Sequence, residues 1–149
     1  MRAMAESATQ TITIAASPEH CFAVATDFPR YPEWAKDIKE ATVQARDDEG
    51  RATAVEFRAS ALGRSTHYTL SYDYSAAPEK MSWQLIHGDI MRAIDGAYTF
   101  AASATEPGST DVVYDLSIEL VVPLPGFVKR RAEVRILNTV KELKARAEA

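Results

Sequence analysis

Three kinds of side chain in this sequence have the chemistry to act on a bound molecule. The first is histidine, at His20, His67 and His87. None of the three has metal-ligand spacing to its neighbours, so no metal site is expected. His20 stands beside Cys21, but neighbours on a helix point roughly 100° apart, which suits neither a Cys–His pair nor a shared ion. Cys21 reads as a buried structural thiol. His87 has the strand parity of Met81, Trp83 and Leu85, so alternation turns it toward whatever those apolar groups face. There it would serve as donor or acid/base for a ligand carbonyl. The alternative is that the strand ends before Gly88 and His87 turns to solvent. Arginine is the second kind: Arg92 shares parity with Ile90 and Ile94. Turned inward, it needs a carboxylate or a ligand oxygen; turned outward, it is an ordinary edge charge.

The third kind is the phenol. Tyr68, Tyr72, Tyr98 and Tyr114 all fall on the apolar sides of alternating segments. A buried phenol needs a partner for its hydroxyl, and four on one face are hard to satisfy in a dry core. Either water or the polar end of a ligand completes them, or several reach a rim. His87, Arg92 and Tyr98 are therefore the catalytic candidates. No Asp or Glu falls clearly on the inward face to act as a base. The sequence holds no Gly-rich phosphate loop, no GxSxG and no HExxH, so no cofactor is expected.

Strands have to aim these groups. Thr9 to Ala15 alternates Thr and Ile, as a half-buried strand does. Ser17-Pro18-Glu19 opens a short helix that runs to about Thr26. Asp27 to Ile38 then carries Phe28, Tyr31 and Trp34 three apart between Pro29 and Pro32, which predicts two short helical pieces or a turn acting as a plug, or as a gate at a cavity mouth. Trp34 would double as a ligand contact. Six strands come next, over Ile38–Arg46, Ala52–Ala61, Thr66–Tyr74, Lys80–His87, Ile90–Ser103 and Asp111–Val122. Gly96 inside the fifth of these predicts a bulge or bend. After Pro123-Leu-Pro-Gly126, apolar residues from Phe127 to Ala149 recur at helical steps, including Ile136, Val140 and Leu143. Residues 1–8 are expected to be disordered and 9–149 to form one domain. The fold class is α+β: a seven-stranded antiparallel curved sheet gripping a long C-terminal helix, with two short helices between strands one and two.

The chain has 149 residues, 46% hydrophobic and 26% charged, with a net charge of −4, the profile of a globular protein and one that argues against nucleic acid. No apolar run is long enough to span a membrane, and the N-terminus has no signal-like apolar region. With a single cysteine, the expectation is a cytoplasmic protein. Lys129-Arg130-Arg131 falls in the first turn of the last helix, where the helix dipole disfavours it. The cluster is either a solvated face or a transient contact for an acidic partner or anionic membrane.

Ser17-Pro18-Glu19 with Phe22, Asp27-Phe-Pro-Arg-Tyr-Pro-Glu-Trp34, Gly96-Ala-Tyr-Thr-Phe100, Asp111-Val-Val-Tyr-Asp-Leu116 and Pro123-Leu-Pro-Gly-Phe127 together resemble the START/Bet v 1-like (SRPBCC) superfamily. Within it, the bacterial polyketide cyclase/dehydrase and lipid transport family is the nearest likeness. The resemblance implies a helix-grip fold with a hydrophobic cavity for a lipid, polyketide or quinone-like molecule. The apolar contacts expected for it are Trp34, Phe57, Tyr68, Tyr72, Trp83 and Leu85, continuing with Tyr98, Phe100, Tyr114, Leu116, Leu137 and Val140. His87 or Arg92 would be the polar anchor. A carrier or sequestering protein is the leading expectation. The alternatives are a cyclase/dehydrase acting on a polyketone and a module that docks a partner protein.

Overall fold

A computed structural model describes residues 5–61, 64–121 and 138–149. Strand β1 (Ala5–Ile14) leads to helix α1 (Pro18–Thr26) and a 3-10 segment (Phe28–Glu33). Then come β2 (Ile38–Arg46), β3 (Ala52–Ala61), β4 (Arg64–Asp73), β5 (Lys80–Gly88), β6 (Met91–Ala102) and β7 (Thr110–Leu120). Helix α2 is described over residues 138–148. The expected start and N-terminal turns of that helix, with Leu137, Lys129, Arg130 and Arg131, lie outside the described residues. β1 begins at Ala5 rather than Thr9, because residues 5–8 continue the ladder with β7, from Ala5 opposite Glu119 to Ala8 opposite Leu116. The disorder expected for residues 5–8 is thus corrected to strand.

All seven strands form one antiparallel sheet in the order β1-β7-β6-β5-β4-β3-β2. From β2 to β7 each strand pairs with the next in sequence, and β1 adds to the free edge of β7. The two strands joined by the short helices are therefore opposite edges of the sheet. A connection between opposite edges has to cross the sheet, and α1 with the 3-10 segment does so at one end. Ser17 caps α1 by accepting a hydrogen bond from the His20 amide at 3.1 Å, with Pro18 in the first turn where its missing N–H costs nothing. Phe22 of α1 meets Phe100 and Tyr74 edge-on, closing that end over β6.

α2 lies against the same face. Val140, Leu143 and Ala147 are buried in the core with Ile14, Val112 and Phe100. Helical spacing throws the residues between them to the two flanks. On one flank Lys144 Nζ donates to the Thr13 carbonyl and Glu148 Oε2 accepts from the Ala15 amide, each at 2.8 Å. On the other, Arg146 pairs with Glu33 at 2.8 Å and Glu142 Oε2 accepts from the Lys36 amide at 3.2 Å. The helix is pinned to β1 on one side and to the plug on the other.

Gly96 does not mark a bulge. The ladder runs through it unshifted, with Trp83 opposite on β5 and Leu116 opposite on β7. Its role is space: a Cβ there would lie 2.3–2.4 Å from three atoms of the Trp83 indole. The real irregularities fall elsewhere, at Ile86 in β5, at Arg92 in β6 and at several points along β2. Gly96→Ala should cost about 1–3 kcal/mol by forcing the indole out of its layer. Thermal melts should show a Tm lower by roughly 3–10 °C. In a Trp83→Phe background the same substitution should cost clearly less, and an equal cost in both backgrounds would refute the contact as the cause.

Candidate functional site

The inner face of the sheet is a continuous aromatic layer. Trp83 is at its middle, with ring centroids 5.3 Å from Tyr98, 5.9 Å from Tyr72 and 5.9 Å from Tyr114. Tyr98 stacks on Tyr114 at 4.8 Å and on Phe100 at 5.6 Å. From Tyr72 the layer passes through Phe28 at 4.5 Å to Phe57 and Tyr68, themselves stacked at 5.5 Å. Strand alternation puts these residues on one side, and antiparallel register sets them opposite one another: Phe57 faces Tyr68, Tyr72 faces Trp83, and Tyr98 faces Tyr114.

Burial along this face is uneven. Toward α1 it is sealed: Ile14, Cys21, Met81, Phe100 and Val112 are buried. Toward the β5–β6 turn, Tyr68, Leu85, Met91, Leu116 and Ile118 pack on the core yet stay half-buried. Of the residues foreseen as ligand contacts, Phe57, Tyr68, Tyr72, Trp83, Leu85, Tyr98, Phe100, Tyr114 and Leu116 therefore share the inner face, and Val140 comes down on it from α2. Leu137 is outside the described residues.

Two foreseen anchors are not there. β5 carries one extra residue between Leu85, opposite Leu70, and His87, opposite Thr69, so parity flips at Ile86. Gly88 now faces inward, where a Cβ would meet that of Tyr68 at 3.2 Å, and His87 is exposed on the outer face. β6 does the same at Arg92, between Met91 opposite Leu120 and Ala93 opposite Glu119. Arg92 points outward, its side chain 57% exposed and 3.6 Å from Glu119, while Met91 takes the inner place. Trp34 is also displaced. It packs on Tyr31 at 4.8 Å but lines a groove of about 520 Å³ on the outside of the plug, with His20, Val24, Asp27, Arg30 and Arg146. The inner position belongs to Phe28, which is fully buried.

All six tyrosines of the chain are held as neutral phenols above their usual range. Burial is the main cause in each. Tyr74 is pushed up to about 12, its hydroxyl donating to the Ala52 carbonyl at 2.6 Å. Tyr72 and Tyr114 are raised further by neighbouring phenols, Tyr98 by Tyr31 and the carboxylate of Glu142, and Tyr68 by Asp37. Tyr31, outside the foreseen set, donates to the Ala25 carbonyl and so fastens the plug to α1. The hydroxyls of Tyr68, Tyr72, Tyr98 and Tyr114 have no hydrogen-bond partner among the described residues. Among the described residues no cluster of three or more His, Cys, Asp or Glu could hold a metal, and no helix is long and apolar enough to cross a membrane.

The match of this chain to a family of known proteins runs over residues 5–148. The chain belongs to the polyketide cyclase/dehydrase and lipid transport family. Its fold is the helix-grip fold of the START/Bet v 1 superfamily. A START superfamily protein from Mycobacterium smegmatis superposes with a TM-score of 0.87 at 27% identity, covering 96% of this chain and 97% of that one. The ZhuI aromatase/cyclase from Streptomyces sp. R1128 gives 0.78 at 12% identity, with 97% and 94% covered. TTHA0849 from Thermus thermophilus also gives 0.78, at 20% identity, with 95% and 96% covered. No curated protein matches the sequence of the chain.

Because every tyrosine is raised, the sign of the alkaline response is set. The unfolded chain ionises its phenols near pH 10 while the native chain holds them protonated to higher pH, so stability is complete below about pH 10 and falls as pH rises above it. Phenolate absorbance in an alkaline titration should appear together with loss of native circular dichroism. A tyrosine that ionises near pH 10 in the folded protein would contradict the inward placement.

Proposed function

We propose that the protein binds a hydrophobic small molecule between the inner face of the sheet and α2, as a carrier or sequestering protein. One observation carries this reading: the inner face is sealed at the α1 end and only half-buried at the β5–β6 turn end. Tyr68, Leu85, Met91, Leu116 and Ile118 keep part of their apolar surface uncovered by the described residues. Leaving that surface open forgoes about 25 cal/mol per Å², a contribution that a ligand covering it would gain, less the cost of its own immobilisation. Family membership and the shared fold support the reading without choosing a ligand.

The enzymatic alternative loses its two charged groups. His87 and Arg92, the acid/base and the cation it leaned on, face outward, and the ionisable groups left among the described inward side chains are phenols that stay protonated. Binding is thus better supported than turnover. Native mass spectrometry of the gently purified protein should show adducts of apolar molecules that organic extraction removes. The stripped protein should bind the neutral dye Nile red, and Leu116→Glu should weaken that binding about tenfold or more by placing a carboxylate on the half-buried surface. Stripped, folded protein that binds no dye would end the proposal.

A further inference from the structure

The two edges of the sheet are not alike. β2 is guarded: its pairing with β3 is broken by three register shifts, it carries Lys39, Glu40 and Arg46, and the 3-10 segment packs against it. β1 has none of these guards. Its ladder with β7 runs from Ala5 to Ile14 without a shift, and residues 7–14 include no charged residue and no proline. Ser7, Thr9 and Thr11 are exposed along it. A long, regular, uncharged edge is a template for another strand.

Hydrogen bonding tells which backbone groups of β1 point outward. The Ser109 carbonyl and the Val121 amide, at the two ends of β7, bond to Ser103 and Ile90 on the β6 side. Alternation along an antiparallel strand then turns the odd-numbered residues of β7 toward β6 and the even-numbered ones toward β1. Even residues of β1 stand opposite even residues of β7, so these are the bonded pairs. The N–H and C=O groups of Ser7, Thr9, Thr11 and Thr13 therefore point away from the sheet. Thr13 is occupied, since its carbonyl accepts from Lys144 Nζ at 2.8 Å. The Thr11 carbonyl has only a long contact from the Gln10 side chain, at 3.5 Å. Among the described residues no strand lies beside the run from Ser7 to Thr11.

We infer that this run pairs with its own counterpart in a second copy of the chain, antiparallel about Thr9, giving a two-fold dimer with one sheet continuous across it. Thr9 then faces Thr9 of the second copy, Ser7 faces Thr11, and about six backbone hydrogen bonds form. The occupant is a second copy because the run is complementary to itself. Glu6, the one charged residue of β1, falls opposite Ile12 in this register, so no like charges meet. Asp115 and Asp111 are bonded to Thr9 and Thr13 at 2.6 and 2.8 Å and lie one strand back. The Asp115 side chains of the two copies are thus three strand spacings apart, roughly 14 Å, beyond the screening length of about 8–10 Å. The guarded β2 edge offers β1 no match, so head-to-tail addition into fibres is blocked and the pairing closes at two. Lys144, bonded at Thr13, ends the paired run on one side and, through the two-fold, on the other.

Sedimentation velocity over a concentration series from about 1 μM to about 1 mM tests this. The mass should rise reversibly from 16.4 kDa toward twice that value and stop there. Thr9→Pro removes the central outward donor without touching the ladder to β7, and should weaken the dimer at least about tenfold with the circular dichroism unchanged. Gln44→Lys, on the opposite edge, should leave the dimer constant within about twofold. In the wild type, hydrogen exchange should show the Ser7, Thr9 and Thr11 amides gaining protection as concentration rises. A monomer at the highest concentration overturns the inference, as does a dimer that Thr9→Pro leaves intact or a mass that keeps growing past two chains. Protection of these amides that does not depend on concentration also overturns it, because something other than a second copy then covers the edge. Should Thr9→Pro fail to fold, hydrogen exchange in the wild type decides alone.

Discussion

Trp83 can lie against the sheet only because residue 96 has no Cβ. The indole occupies the place where that atom would be, and the rest of the inner face is arranged around it. Tyr72, Tyr98 and Tyr114 all meet it at ring-contact distance, so its plane sets theirs. Offset and edge-on aromatic pairs add about 0.5–1.5 kcal/mol each beyond the area they bury. A layer of them is therefore stiff as well as apolar. Stiffness matters for binding, since a wall that is already ordered loses little entropy when a ligand arrives.

Topology places this wall. β1 and β2 are opposite edges of the sheet, so the chain between them has to cross it, and the crossing is built of one short helix and a 3-10 turn. Phe28, Tyr31 and Trp34 run through that crossing as a column, with ring centroids 5.2 Å and then 4.8 Å apart. Its inner end is core and its outer end lines the surface groove. The same crossing supplies Glu33 and the Lys36 amide that hold one flank of α2, while β1 and the residue after it hold the other through Thr13 and Ala15. Closing one end of the sheet and fastening the helix are thus one structural act.

Much of this was legible in the sequence because a strand's period of two leaves a strong mark. Val112, Tyr114 and Leu116, or Met81, Trp83 and Leu85, announce both a strand and its inner side, and the turns between strands are marked by Gly, Pro and Asp. The N-cap at Ser17 is equally plain. What alternation cannot show is a bulge, which adds one residue without any mark of composition. Ile86 and Arg92 look like ordinary strand residues, and only pairing with the neighbouring strand reveals them as extra. Each upsets the parity of its strand, so alternation assigns His87 and Arg92 inward although both lie outward. Gly96 misleads in the opposite sense: a glycine in a strand suggests a bulge, but here it marks the close approach of a side chain from the neighbouring strand. Trp34 is misplaced for a related reason, since a spacing of three fixes a column of rings but not which end of it is inside.

The outward turn of His87 and Arg92 also has a consequence for the inner face. An arginine or histidinium facing an apolar cavity would cost several kcal/mol whenever its ligand was away, because an unpaired buried charge has no substitute for water. An unpaired phenol costs far less, about 1–3 kcal/mol by mutational measure, and less still where a water can enter to accept its hydrogen bond. Tyr68, Tyr72, Tyr98 and Tyr114 therefore make the inner face partly polar at a cost the fold can carry. Had His87 and Arg92 pointed inward as alternation suggests, the same face would have demanded a permanent partner.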